Sequence, residues 1–333
     1  AGSSISVTAS NAIVAASAAT ATLTNEGTIS AGVSRTVDFE RAGEVTFTNS
    51  GSSSSLSAGS FNALYAASAT GSVSLTNEGA VRAYNRTVDF KDAEGSVTIT
   101  NSGMIEATHS QADAESSLEL NFTIDASRGG TASADVIVTN RATGAITTNS
   151  DRAIGLRAFD SANDTVLVTN EGTISAGRDK ALDLNGSREV TLTQGAGAIL
   201  SAGRDLAVDA TGILTSLTID NAGSILAGAS SVGSSQGAIR GALGAGGVAV
   251  EITNAASGTI SSIGGNAIYL SNIGSTVTLV NDGIISAGDG VTQSDYAVRL
   301  EDVGNNIVAF TNQGSGAITA THEYAVSIEA PRR

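Results

Sequence analysis

The chain has no cysteine and no tryptophan, one proline (Pro331) and two histidines in 333 residues. Without cysteine there is no disulfide, no thiolate metal site and no thiol nucleophile. His109 and His322 stand far apart with no second ligand nearby in sequence, so no metal site is expected. Positive charge is scarce: 17 Lys and Arg face 32 Asp and Glu, a formal net charge of −15. Phosphate backbones and anionic lipid surfaces both require a basic face, so neither nucleic acid nor a membrane surface is an expected partner. No apolar run approaches the roughly 18 residues needed to span a bilayer, which excludes membrane insertion of this segment. The glycine-rich run Gly241-Ala242-Leu243-Gly244-Ala245-Gly246-Gly247 lacks the Lys-Ser/Thr of a phosphate-binding loop and reads as a turn between strands. No cofactor is expected.

What the chain does have is a repeat. Thr24-Asn25-Glu26-Gly27-Thr28-Ile29-Ser30-Ala31-Gly32 returns almost unchanged at Thr169-Asn170-Glu171-Gly172-Thr173-Ile174-Ser175-Ala176-Gly177. Looser copies centre on Asn49, Asn77, Asn101, Asn140, Gln194, Asn221, Asn254, Asn281 and Asn312, at spacings from 24 to 39 residues. A period of this length filled with short strand-like runs signifies a solenoid. Val, Ile and Leu recur in phase throughout, which separates the chain from low-complexity disorder despite its wealth of Ala, Gly, Ser and Thr.

Each period has the same grammar. Before the Asn, runs such as Val97-Thr98-Ile99-Thr100 alternate apolar and polar residues with period two, placing Val and Ile on one face of a strand. After it, a Gly commonly follows at the second position, and the expected reason is a positive φ at a tight corner. One branched residue then marks a second strand: Ile29, Leu56, Val81, Ile105, Ile146, Ile174, Ile199, Ile225, Ile260, Ile285 and Ile318. A third short strand closes the coil, as in Thr36-Val37-Asp38-Phe39 and Ala181-Leu182-Asp183-Leu184. Three strands per period predict an all-β, right-handed, three-sided parallel β-helix of about 11–12 coils, one domain over residues 1–333, without evident end caps. The corner residues Asn25, Asn49, Asn77, Asn101, Asn140, Asn170, Asn221, Asn254, Asn281 and Asn312 then lie above one another as a structural amide ladder. Gln194 takes one place in that ladder and is expected to lengthen its corner.

The polar position of the third strand predicts an outward stripe: Val14, Asp38, Tyr65, Asp89, Glu119, Gly155, Asp183, Asp209, Arg240, Tyr269, Arg299 and Ser327. Asp183 and Asp209 fall on successive coils about 5 Å apart, the carboxylate separation of a retaining glycosidase, and are the catalytic candidates. Arg178-Asp179 and Arg204-Asp205 on the same coils offer a competing role, neutralisation in an ion-pair network. With no tryptophan to stack a sugar, no catalysis is the expectation, and a glycan-active hydrolase or lyase using this pair is the alternative. Polar insertions around Ala107 to Ser116, Gly228 to Gly237 and Gly288 to Asp295 are the expected protruding loops.

The unit Leu23 to Gly32 and the strands of Ala-Leu-Asp-Leu type resemble the passenger regions of bacterial autotransporters and related giant surface proteins. The resemblance covers essentially the whole chain and is specific to the architecture. It implies export across a Gram-negative envelope, display at the cell surface, and a structural or adhesive role. Ala1-Gly2-Ser3-Ser4 suits a terminus left by leader cleavage. The expected partners are a host or neighbouring cell surface or glycan, or other copies of the chain, since uncapped coils that meet head to tail generate filaments.

Overall fold

The computed structural model describes residues 3–109, 122–127, 135–149, 152–157, 165–228, 237–243, 247–288, 296–303 and 308–329. Among these residues every regular element is a β-strand, and every strand pairs in parallel with the strands three places before and after it. The result is three parallel sheets. Sheet I holds twelve strands from Ser4–Val7 to Ala317–Ala320, sheet II twelve short strands from Ile13–Val14 to Val326–Ile328, and sheet III eleven strands from Thr20–Asn25 to Val308–Asn312. The fold is the expected three-sided parallel β-helix, with twelve coils. The three insertions expected to protrude fall mainly outside the described residues, as does Gly244-Ala245-Gly246.

The core is a set of vertical stacks that follow from period-two alternation. On sheet III, Leu23, Phe47, Leu75, Ile99, Val138, Val168, Leu192, Ile219, Ile252, Leu279 and Phe310 stand in register. Intervening Thr and Ser residues point outward. On sheet I the inward column runs through Ile29, Leu56, Val81, Ile105, Ile146, Ile174, Leu200 and Ile225. Leu200, fully buried, takes the place expected of Ile199, which is 40% exposed. The corner after Gln194 is two residues longer than that after Asn170, so the inward residue is the sixth after the corner amide and not the fourth.

The ladder forms at the corner between sheets III and I. Each corner Asn is buried or nearly so through Asn281, and its Nδ2 donates to the Oδ1 of the Asn one coil on, at 2.7 Å from Asn25 to Asn49 and 2.8 Å from Asn77 to Asn101. The same Nδ2 also donates to a carbonyl of the sheet I strand one coil on, as Asn140 does to Thr173. One amide thus satisfies donors and acceptors of two coils inside a glycine-rich turn. The glycine two residues after the Asn has a different reason from the one expected. Gly51 and Gly314 have positive φ, but Gly27, Gly79, Gly103, Gly172, Gly223 and Gly283 do not. A Cβ at these six would strike carbonyl oxygens of the coil below, for example Ser3 O at Gly27 and Gly144 O at Gly172. Close stacking of backbone on backbone, not left-handed geometry, demands glycine there.

The ladder has one fault. Asn170 Nδ2 donates to Gln194 Oε1 at 3.0 Å, but Gln194 Nε2 turns to Ser224 O at 3.2 Å and leaves Asn221 Oδ1 buried without a partner. Gln194 does not by itself set the corner length, because the corners after Asn140, Asn254 and Asn312 are equally long. Those three place glycine four residues on, at Gly144, Gly258 and Gly316, where a Cβ would press on the Asn Oδ1. The Gln194 corner has buried Ala198 at that position, so its methyl occupies the space an Asn amide needs and the longer Gln reaches past it. Gln194→Asn alone is therefore expected to destabilise, and Ala198→Gly alone to cost about 0.5–1 kcal/mol in backbone entropy. Together they restore the missing bond and melt at or above the parent. A double-mutant cycle in urea checks this, and a coupling near zero would break the link between the two residues.

Candidate functional site

Sheet II carries the stripe where the sequence places its candidate chemistry. In register it reads Val14, Asp38, Tyr65, Asp89, Asp125, Gly155, Asp183, Asp209, Arg240, Tyr269, Arg299 and Ser327. Asp125 stands where Glu119 is expected; Glu119 lies outside the described residues. The long insertion ahead of this strand hides the true register from spacing alone. The carboxylates are also far less open than an outward stripe implies: Asp38, Asp89, Asp125, Asp183 and Asp209 are all buried.

What covers them is a second row, set two residues before the inward residue of each strand. Asn11 donates to Asp38 Oδ2 at 2.9 Å and Asn62 to Asp89 Oδ2 at 3.0 Å, each reaching from one coil to the next. Arg35 pairs with Asp38 at 3.1 Å and Arg86 with Asp89 at 3.2 Å within a coil. Arg86 also reaches up to Asp125 at 3.5 Å. Arg152 bridges Asp179 at 2.7 Å and Asp183 at 2.6 Å, and Lys180 binds Asp209 at 2.5 Å with Asp183 at 4.0 Å. The second oxygen of four of these aspartates accepts a backbone N–H two residues on, from Glu40, Lys91, Ser127 and Thr211. Side-chain clamp and local turn together satisfy each buried carboxylate.

Asp183 is the exception. Its Oδ2 faces Arg152, Arg157 at 3.0 Å and Lys180, while its Oδ1 is buried without a hydrogen-bond partner. Beneath the two arginines lies Phe122, whose ring centroid is 5.4 Å from the Arg152 guanidinium and 5.1 Å from that of Arg157. The ring fills the space above Gly155, where a Cβ would collide with it, and this accounts for the gap in the stripe.

Asp183 and Asp209 are register partners, as expected, but Lys180 spans both. The charges that balance them come from Arg152, Arg157 and Lys180, which spacing arguments centred on Arg178 and Arg204 missed. Asp179 and Asp205 add two more carboxyl groups at the rim of the cluster. Burial, a hydrogen bond with Asp179 and the Asp179 charge push the Asp205 carboxyl up to about 7. Burial also raises Asp209, but Lys180 and Thr211 outweigh it and hold this carboxyl below its ordinary value. Asp125 is raised by burial and by Asp89 against the pull of Arg86. Chemically the cluster is an ionic network in which Asp205 is raised toward neutrality while Asp209 is held in its ionised form. Among the described residues, no three His, Asp or Glu side chains converge to hold a metal ion.

These shifts set a pH dependence. Asp205 and Asp125 bind protons more tightly folded than unfolded, so their contribution is complete below about pH 4 and is lost as pH rises through the folded values. Asp209 acts oppositely, losing its contribution as pH falls below about 4. The melting temperature is therefore expected to peak near pH 4 and decline between about pH 4 and 7. Asp205→Asn should flatten that decline; an unchanged slope in scanning calorimetry would remove Asp205 as its source.

Comparison with protein families, with characterised proteins and with solved structures finds no match for the chain.

Proposed function

We propose that this chain is a cell-surface structural and adhesive β-helix of an exported bacterial protein, without catalysis, whose rods associate head to tail. The observation that carries the reading is the commitment of all three sheets to in-register stacking, with the Asp183 and Asp209 carboxylates tied up by their own cations. The resemblance of the Leu23 to Gly32 unit to autotransporter passengers supports display outside a Gram-negative cell. Outward Ser and Thr ladders, such as Ser30 to Ser6 and Ser201 to Ser175, both at 3.0 Å, give the rod a hydrated polar surface. A glycan-cleaving role for Asp183 and Asp209 has less support, because both carboxylates are buried against cations.

Electron microscopy over a concentration series tests the assembly. Twelve coils at about 4.8 Å give rods of roughly 55–60 Å, and fibres repeating near that length are expected as concentration rises. Isolated rods at every concentration would remove the filament role. Display on a translocator, followed by attachment to cells or glycan-coated beads, tests adhesion, and absence of attachment would remove it.

A further inference from the structure

The late coils of sheet II differ from the rest of the surface. The chain has only five tyrosines, and three of them, Tyr269, Tyr296 and Tyr324, gather on this one face within the last coils. Tyr296 and Tyr324 occupy the same position on successive coils, where earlier coils carry Arg35, Arg86, Arg152 or Lys180. Their ring centroids are 6.2 Å apart and tilted by 32°, and Tyr324 is 67% exposed. Arg299 lies between them and Tyr269, its guanidinium 4.8 Å from the Tyr296 ring and 5.9 Å from that of Tyr269. Arg299 is held by Glu301 and by Glu329 at 3.5 Å, and the Tyr269 hydroxyl donates to Glu301 at 2.6 Å. In the earlier coils the polar row clamps buried aspartates. Here the aspartates are replaced by Arg299 and Ser327, and the row above them is aromatic.

Resting on the adhesive reading, we infer that Tyr296 and Tyr324, fringed by Arg299, Glu301 and Glu329, form a binding platform for a neutral oligosaccharide running along the rod. The rings are amphipathic faces of the kind on which the C–H face of a pyranose packs. Glu301 and Glu329 supply acceptors and Arg299 a donor for hydroxyl groups, a mixed set suited to polar groups without net charge. A polyanionic glycan is disfavoured, since Arg299 is already matched by two glutamates on a chain of net charge −15.

The test is calorimetric titration of the full chain with neutral oligosaccharide series (gluco-, xylo-, manno- and galacto-configured) and with heparin and hyaluronate oligomers. Binding to a neutral series is expected, weakened at least tenfold in Tyr296→Ala and in Tyr324→Ala and retained in Tyr296→Phe. Tyr84→Ala, on the far part of the rod, should bind as the parent does. Thermal melts of the platform variants should match the parent, because neither ring is a core residue. Binding to no neutral series, binding only to the anionic oligomers, or binding untouched by the double alanine variant would each overturn the platform. Attachment to cells that persists in the double variant would overturn the platform while leaving adhesion intact; absence of attachment by the parent would strike adhesion itself.

Discussion

Asn254→Val is expected to cost about 2–5 kcal/mol, more than the same change at Asn221. Asn254 is fully buried and works in both directions: its Oδ1 accepts from Asn221 at 2.7 Å and its Nδ2 donates to Asn281 at 2.7 Å. It also reaches Gly258 O and Ile284 O at 3.3 and 3.2 Å. Valine is close in size, so the loss is of bonds, and it strands the Asn281 Oδ1 below solvent. At Asn221 the cost should be nearer 1–2 kcal/mol, because its Oδ1 is already without a partner. Urea denaturation of the two variants side by side measures the order. Equal losses would show that the fault at Gln194 has no energetic weight, and an unchanged midpoint for Asn254→Val would sink the ladder as a stabilising element.

Lys180→Met is expected to cost about 3–5 kcal/mol at pH 8, and less at pH 5. Lys180 is the cation bound to Asp209, whose side chain is only 4% exposed, so its loss leaves a buried carboxylate without a counter-charge. Asp209 then meets the cost of burial unopposed by Lys180, its proton affinity rises, and mild acid relieves the strain. Asp209→Asn in the same chain should recover much of the stability. This pattern separates charge from packing: a loss that is equal at both pH values, or that Asp209→Asn does not recover, would mean that the lysine stem and not its ammonium group matters.

The architecture was legible because a solenoid writes the same instructions many times. Val, Thr and Asn recur before each corner, and an error in one coil is corrected by the next. The ladder and eleven of the twelve stripe positions followed from that repetition. The clamp was less visible although its signal is present: Arg35-Thr36-Val37-Asp38, Arg86-Thr87-Val88-Asp89 and Lys180-Ala181-Leu182-Asp183 share a basic residue three before the Asp. Reading the Asp alone as outward omitted the long side chain able to lie over it. Asp125 was missed because an insertion breaks the count. Arg157 was missed because it acts from beyond the strand, across the Phe122 ring, a contact no spacing rule encodes. The true reason for the corner glycines was hidden for a related cause: a collision with the neighbouring coil depends on stacking distance, which a one-dimensional pattern does not carry.

The amide ladder also gives the rod an electrical direction. Parallel sheets carry little net dipole of their own. Each ladder amide, however, points its N–H toward the later coil and its carbonyl toward the earlier one, from Asn25 through Asn312. Aligned dipoles of this kind add, leaving partial negative charge at the Asn25 end and partial positive charge at the Asn312 end. The fault between Gln194 and Asn221 divides that column in two. Two such columns placed end to end attract in one orientation and repel in the other.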